Sequence, residues 1–221
     1  FGYFIFITLI FIIISIILIK NDTSSNIFYI EYIYIFIIIF GSYIINVNTH
    51  YIINEKNRLT VLLYTLLPWV IIFIGIYILL KVYNSWITPF SNTIGYIFVN
   101  NILGLSKEFK KLINNPENLD GVNNKEKLLE AIANFNNNYE ILLNSLNPSD
   151  ETSFKDFFKN FHDAKILNDD AYIDNIDNID NKKIKNIIIL LKIKDFIGKI
   201  CWFILAGILS ISVMNNSLND I

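Results

Sequence analysis

Residues 61–80 read VLLYTLLPWVIIFIGIYILL, twenty positions without one charged side chain. As a helix rising 1.5 Å per residue, such a run reaches ~30 Å, the thickness of the hydrocarbon core of a bilayer. Lipid offers backbone N–H and C=O groups no partner, so one continuous run can satisfy them only by closing its own helical hydrogen bonds. The stretch reads as a membrane-spanning helix, even though isoleucine and phenylalanine form helices poorly in water. Pro68-Trp69 falls in its middle third, where proline removes one i→i−4 bond. It reads as a packing kink, with a hinge as the alternative.

Working outward, three more runs have the same character: Tyr3–Ile19, Ile27–Ile45 and Gly198–Met214. The first and last are near the lower length for a span and could cross obliquely. The opening run has no basic n-region and no small-residue cleavage site, so it reads as a retained membrane helix. A hydrophobic share of 53%, with 17% charged residues, fits this class. A net charge of −2 argues against a nucleic-acid surface, which needs clustered Lys and Arg. The single cysteine, Cys201, excludes an internal disulfide and reads as a small buried hydrophobe. Basic residues flanking the spans, Lys81, Lys182, Lys183 and Lys185, favour the large loop as the cytoplasmic side.

Between the third and fourth runs the composition shifts to Asn, Asp and Lys. Leu105, Phe109, Leu112 and Ile113 recur at helical spacing, and Leu128, Ile132, Phe135, Tyr139, Leu142 and Leu146 form a heptad-like seam. Pro148-Ser149-Asp150-Glu151 supplies an N-cap and first-turn acids ahead of Phe154, Phe157, Phe158 and Phe161. Three such helices can close a small bundle, with an oligomerising coiled coil as the other use of the seam. Residues 169–180 repeat Ile-Asp-Asn without the central Gly and closing Glu of a calcium loop, and read as a solvated low-complexity segment.

The expectation is an all-α polytopic membrane protein with about four transmembrane helices and a small helical extramembrane domain between the third and fourth. Residues 1–82 hold three spans, 83–104 an interfacial or re-entrant turn-helix element, and 105–184 the helical loop domain. Residues 185–221 hold an amphipathic segment and the final span. In that segment Lys192, Asp195 and Lys199 share one stripe, which suits a helix lying on the membrane surface.

Chemistry-bearing patterns are sparse. Glu31 lies five positions into its run beside Tyr29, Tyr32 and Tyr34, and reads as an interfacial carboxylate in an aromatic belt, or as a buried partner for another chain. His50 and His162 lack ligands at metal spacing, and no nucleophilic triad or phosphate loop can be assembled. Neither a catalytic site, a cofactor nor a metal is expected.

One word stands apart, Trp86-Ile87-Thr88-Pro89-Phe90-Ser91-Asn92-Thr93-Ile94-Gly95-Tyr96. Trp86 reads as a headgroup anchor, Pro89 as the end of a helix, and Ser91 or Asn92 as the cap of a new one near Thr93. The order of Pro68-Trp69, this word, Leu191-Lys192-Ile193-Lys194-Asp195 and then Trp202 resembles a family of small multi-pass membrane proteins of large nucleocytoplasmic DNA viruses. Ser85 stands where members of that family often carry Gly. The resemblance covers roughly residues 60–96 and 187–216. It implies a structural protein of the virion's internal membrane, reached through host endomembrane during assembly. It also implies contact with capsid-shell or other virion proteins, no enzyme activity, and the bilayer as first partner. Pro68, Trp69, Trp86, Pro89, Phe90, Ser91, Asn92, Gly95, Tyr96, Lys192, Asp195 and Trp202 are the structural or interaction candidates, and self-association is open. Rival expectations are an accessory subunit of an organelle-encoded respiratory complex and a channel or transporter component.

Overall fold

The computed structural model describes residues 1–21, 26–53, 57–115, 125–148, 150–168, 171 and 182–219. The described residues are all-α, apart from one antiparallel bridge between Ile113 and Leu167. Four helices, Gly2–Lys20, Ile27–His50, Arg58–Val82 and Lys182–Asn219, are long and apolar enough to cross a membrane. The Ile-Asp-Asn repeat lies outside the described residues.

The chain divides into two units, the first formed by Phe1–Phe90 with Ile197–Ile221 and the second by Ser91–Phe196. In the first unit α1 (Gly2–Lys20) and α2 (Ile27–Asn46) lie beside α3 (Arg58–Pro68), α4 (Gly75–Val82) and the later part of α10 (Lys182–Asn219). Their inward faces are aromatic. Phe11 stacks on Tyr34 at 4.2 Å, and Phe203 meets Phe73 at 5.5 Å and Tyr34 at 6.1 Å. Outward stand Phe6, Ile13, Phe36, Phe40, Ile71 and Leu209, all exposed, as expected when the surrounding solvent is hydrocarbon.

Small residues let the helices approach. The Phe4 ring occupies the space where a side chain at Gly207 would sit, and Tyr3 does the same at Gly41 while its hydroxyl donates to the Ile37 carbonyl at 2.6 Å. Pro68 does more than kink its helix. The backbone widens into a π-helical turn over Trp69–Ile74 before α4 resumes, and the Ser210 hydroxyl donates to the Pro68 carbonyl at 3.3 Å. At another level Asn46 donates to Thr65 at 2.9 Å, a polar tie inside the apolar bundle.

In the second unit α7 (Leu105–Lys110), α8 (Lys125–Ser145) and α9 (Glu151–Asp163) bury the stripes read from spacing. Phe109 is the hub, with Tyr139 stacked at 5.5 Å and Phe135, Phe157 and Phe158 at 6.1–6.2 Å. The α8 seam differs at two places: Leu128 is only half-buried, and Leu143 is buried where Leu142, 37% exposed, is expected. Leu142 and Leu143 both satisfy the seven-residue step from Tyr139 to Leu146, so spacing alone does not choose between them. Asp150 caps α9 as expected, accepting from the Ser153 N–H at 3.2 Å. That exposed carboxyl is held below the usual range by its hydrogen bonds from the Ser153 side chain and backbone. Gly104, at φ +77°, supplies the left-handed residue that separates α6 (Tyr96–Asn101) from α7.

The expected surface-lying amphipathic segment is replaced by the first part of α10. There Ile184, Ile187, Leu190, Leu191, Ile193, Lys194 and Phe196 are all buried, so this helix is enclosed nearly all round and forms part of a core.

Candidate functional site

The unusual word is helical for most of its length. After Tyr83 the backbone restarts as a 3₁₀ turn over Asn84–Ile87, continues through α5 (Thr88–Phe90), widens to a π-helical turn over Ser91–Gly95 and enters α6. Pro89 is the sixth residue of this helical run, at the change from the 3₁₀ turn to α5, and the Trp86 carbonyl three residues back, which its missing N–H leaves free, accepts instead from the Trp202 indole. The helical backbone passes through Pro89, so the expectation that Pro89 ends a helix and that Ser91 or Asn92 caps another is overturned.

The word splits its work between the two units. In the first, the Trp202 indole N–H donates to the Trp86 carbonyl at 2.7 Å, and the rings of Trp86 and Phe90 lie 6.0 and 5.1 Å from that of Trp202. Trp69 is fully buried against Phe4 and Phe73, so the Pro68-Trp69 pair belongs to the same unit's core.

In the second unit, Ser91 and Asn92 meet Lys194 and Asp195. The Ser91 hydroxyl donates to Asp195 Oδ1 at 2.5 Å. Lys194, 2% exposed, donates to Asn92 Oδ1 at 3.2 Å, the Asn144 carbonyl at 2.5 Å and the Leu146 carbonyl at 3.2 Å. The Asn144 side-chain amide in turn donates to the Asn92 carbonyl at 2.9 Å. An ammonium has three N–H bonds, and all three are matched. Two of the acceptors are carbonyls at the end of α8, which have no partner within that helix, so Lys194 also acts as its C-terminal cap. Gly95 is the contact that lets the elements close: a Cβ there would overlap the Lys194 carbonyl. Its φ of −59° is ordinary, so space rather than backbone freedom selects glycine. The next residue, Tyr96, lies beside Ser106 and Glu140, its phenol pushed up chiefly by burial.

Sequence reasoning singled out Lys192 and Asp195. Asp195 is in the junction, whereas the ammonium there is that of Lys194, which the stripe argument passed over. Glu31 is 3% exposed, and where one reading gave it a buried partner in another chain, its partners lie in its own: Lys199, and Lys81 at 3.1 Å. Neither lysine announces the pairing locally, because their separations in sequence are long. Among the described residues no group of three or more His, Cys, Asp or Glu side chains could hold a metal ion.

Comparison with family models, curated proteins and solved structures yields no match to this chain.

Proposed function

We propose that this chain is a structural membrane protein of the internal membrane of a large DNA virus. Its spans anchor it, and its 91–196 unit offers a helical surface to capsid-shell or core proteins. The observation that supports a structural rather than a chemical role is the junction of Ser91-Asn92 with Lys194-Asp195. Those residues carry the family resemblance, and they spend their polar groups on one another. The buried ammonium has no donor left for a ligand, and its neighbours are helix-end carbonyls and amides rather than groups poised for proton transfer. Such a junction fixes where the ends of the 91–196 unit sit on one another, as a presenting scaffold requires.

The test is quantitative mass spectrometry of purified, detergent-fractionated virions, with crosslinks from the lysines between 107 and 127. Enrichment with the virion membrane fraction and crosslinks to shell proteins are the expected result. Migration with a respiratory assembly, or conductance in bilayers that changes when Glu31 or Ser91 is replaced, would overturn the reading.

A further inference from the structure

Within the first unit one carboxylate faces two ammoniums. Glu31 pairs with Lys199 and with Lys81, and its side chain is 4% exposed. The set carries one negative and two positive charges, so a residual charge of +1 remains on a cluster in which Glu31 and Lys199 are shielded from solvent. A desolvated charge is stable only when a counter-charge or strong hydrogen bonds offset it. Aromatic faces offset part of it. Lys199 lies 5.7 and 5.5 Å from the Tyr77 and Phe203 rings, and Lys81 lies 5.0 and 5.6 Å from those of Phe28 and Tyr77.

The two lysines differ in access. The Lys199 side chain is 13% exposed and that of Lys81 is 40% exposed, so the open side of the cluster is at Lys81. Lys81 is the next-to-last residue of the 25-residue Arg58–Val82 helix. That helix is about 37 Å long against ~30 Å of hydrocarbon, so its end reaches the headgroup layer, where lipid phosphates lie. We propose that Lys81, backed by Lys199 and by the Phe28 and Tyr77 rings, binds a phosphoryl anion there, the phosphodiester of an anionic lipid headgroup. The site is independent of which membrane the protein occupies. Phosphoryl oxygens supply the charge the cluster lacks, and the ammonium can donate to them while its aliphatic stem stays among the rings.

The experiment is native mass spectrometry of the full chain in detergent, titrated with phosphatidylglycerol, phosphatidylcholine and inorganic phosphate. Phosphatidylglycerol should be retained over phosphatidylcholine. Lys81→Gln should weaken that retention about five-fold, the weight of one interfacial lysine, and Lys81→Arg should keep it. Glu31→Gln raises the residual charge to +2 and should tighten it. Lys20→Gln, a lysine at the end of α1, is the control for general surface charge. Displacement of the lipid by millimolar inorganic phosphate would support the phosphoryl site and assign its occupant to the soluble anion. Equal retention of phosphatidylcholine, no effect of Lys81→Gln in a chain with unchanged thermal midpoint, or an equal loss in Lys20→Gln would overturn the proposal.

Discussion

Replacing Lys194 by methionine keeps the apolar stem of the side chain out to the ε position and removes its three donors. The Asn92 amide oxygen and the carbonyls of Asn144, in the last turn of α8, and Leu146, just past it, then lose their partner in a buried place. Hydrogen bonds to a charged donor contribute about 1.5–3 kcal/mol each, a gross loss of several kcal/mol. Relief from burying an ammonium offsets several kcal/mol of this. The offset is incomplete because two of the acceptors are backbone and cannot be redesigned away, so we expect a net loss of about 3 kcal/mol. The loss should concentrate at the end of α8. Hydrogen exchange of the amides around residues 143–147, measured on the full chain in nanodiscs, should accelerate roughly a hundredfold, since each 1.4 kcal/mol is a factor of ten in local opening. Exchange within twofold of the parent, with an unchanged thermal midpoint, would refute the assignment of Lys194 as the cap of that helix.

Other expectations follow the same contacts. Alanine for glycine inside a helix ordinarily stabilises by up to about 1 kcal/mol, but Gly95→Ala should destabilise by about 1–3 kcal/mol because its methyl meets the Lys194 carbonyl; the sign of the midpoint shift decides. Glu31→Gln removes the only carboxylate of a buried set and should cost about 3–5 kcal/mol, read as a lowered thermal midpoint in neutral-lipid nanodiscs. Phe109→Ala empties the hub of the second unit and should cost about 3–5 kcal/mol, seen as faster exchange in α7, α8 and α9. Asp150, whose carboxyl is lowered in the folded chain, stabilises α9 above the ordinary carboxylate range. That contribution should fade as pH falls through its lower folded value, so α9 protection, corrected for the intrinsic exchange rate at each pH, should fall with pH in the parent and fall less in Asp150→Ala.

Much of the architecture was legible because it is written locally. Long apolar runs, two of them with one charged residue each, define four spans, and the helices match them to within a few residues except at α10, where an apolar helix continues back to Lys182. The stripes through Phe109, Phe135 and Phe158 follow from spacing, since burial repeats every three or four residues along one helix. What was missed depends on partners far along the chain. Lys194 and Lys199 look like solvated charges on an amphipathic helix, and only the positions of Asn92, Asn144 and Glu31 make them buried ones. Pro89 belongs with these: proline ordinarily breaks a helix interior, and the group that takes up the carbonyl it frees, the Trp202 indole, lies far along the chain. At Pro68 the local loss of a bond was visible, whereas the π-helical turn that absorbs it was not.

Ser91-Asn92 and Lys194-Asp195 are mutual structural ties, and a double-mutant cycle across the Ser91–Asp195 bond tests this most directly. Ser91→Ala, Asp195→Asn and the pair should be compared by thermal and denaturant unfolding of the full chain in detergent. A charge-assisted bond predicts a coupling of about 1 kcal/mol or more, the double variant losing less than the sum of the singles. Strictly additive losses would contradict the tie.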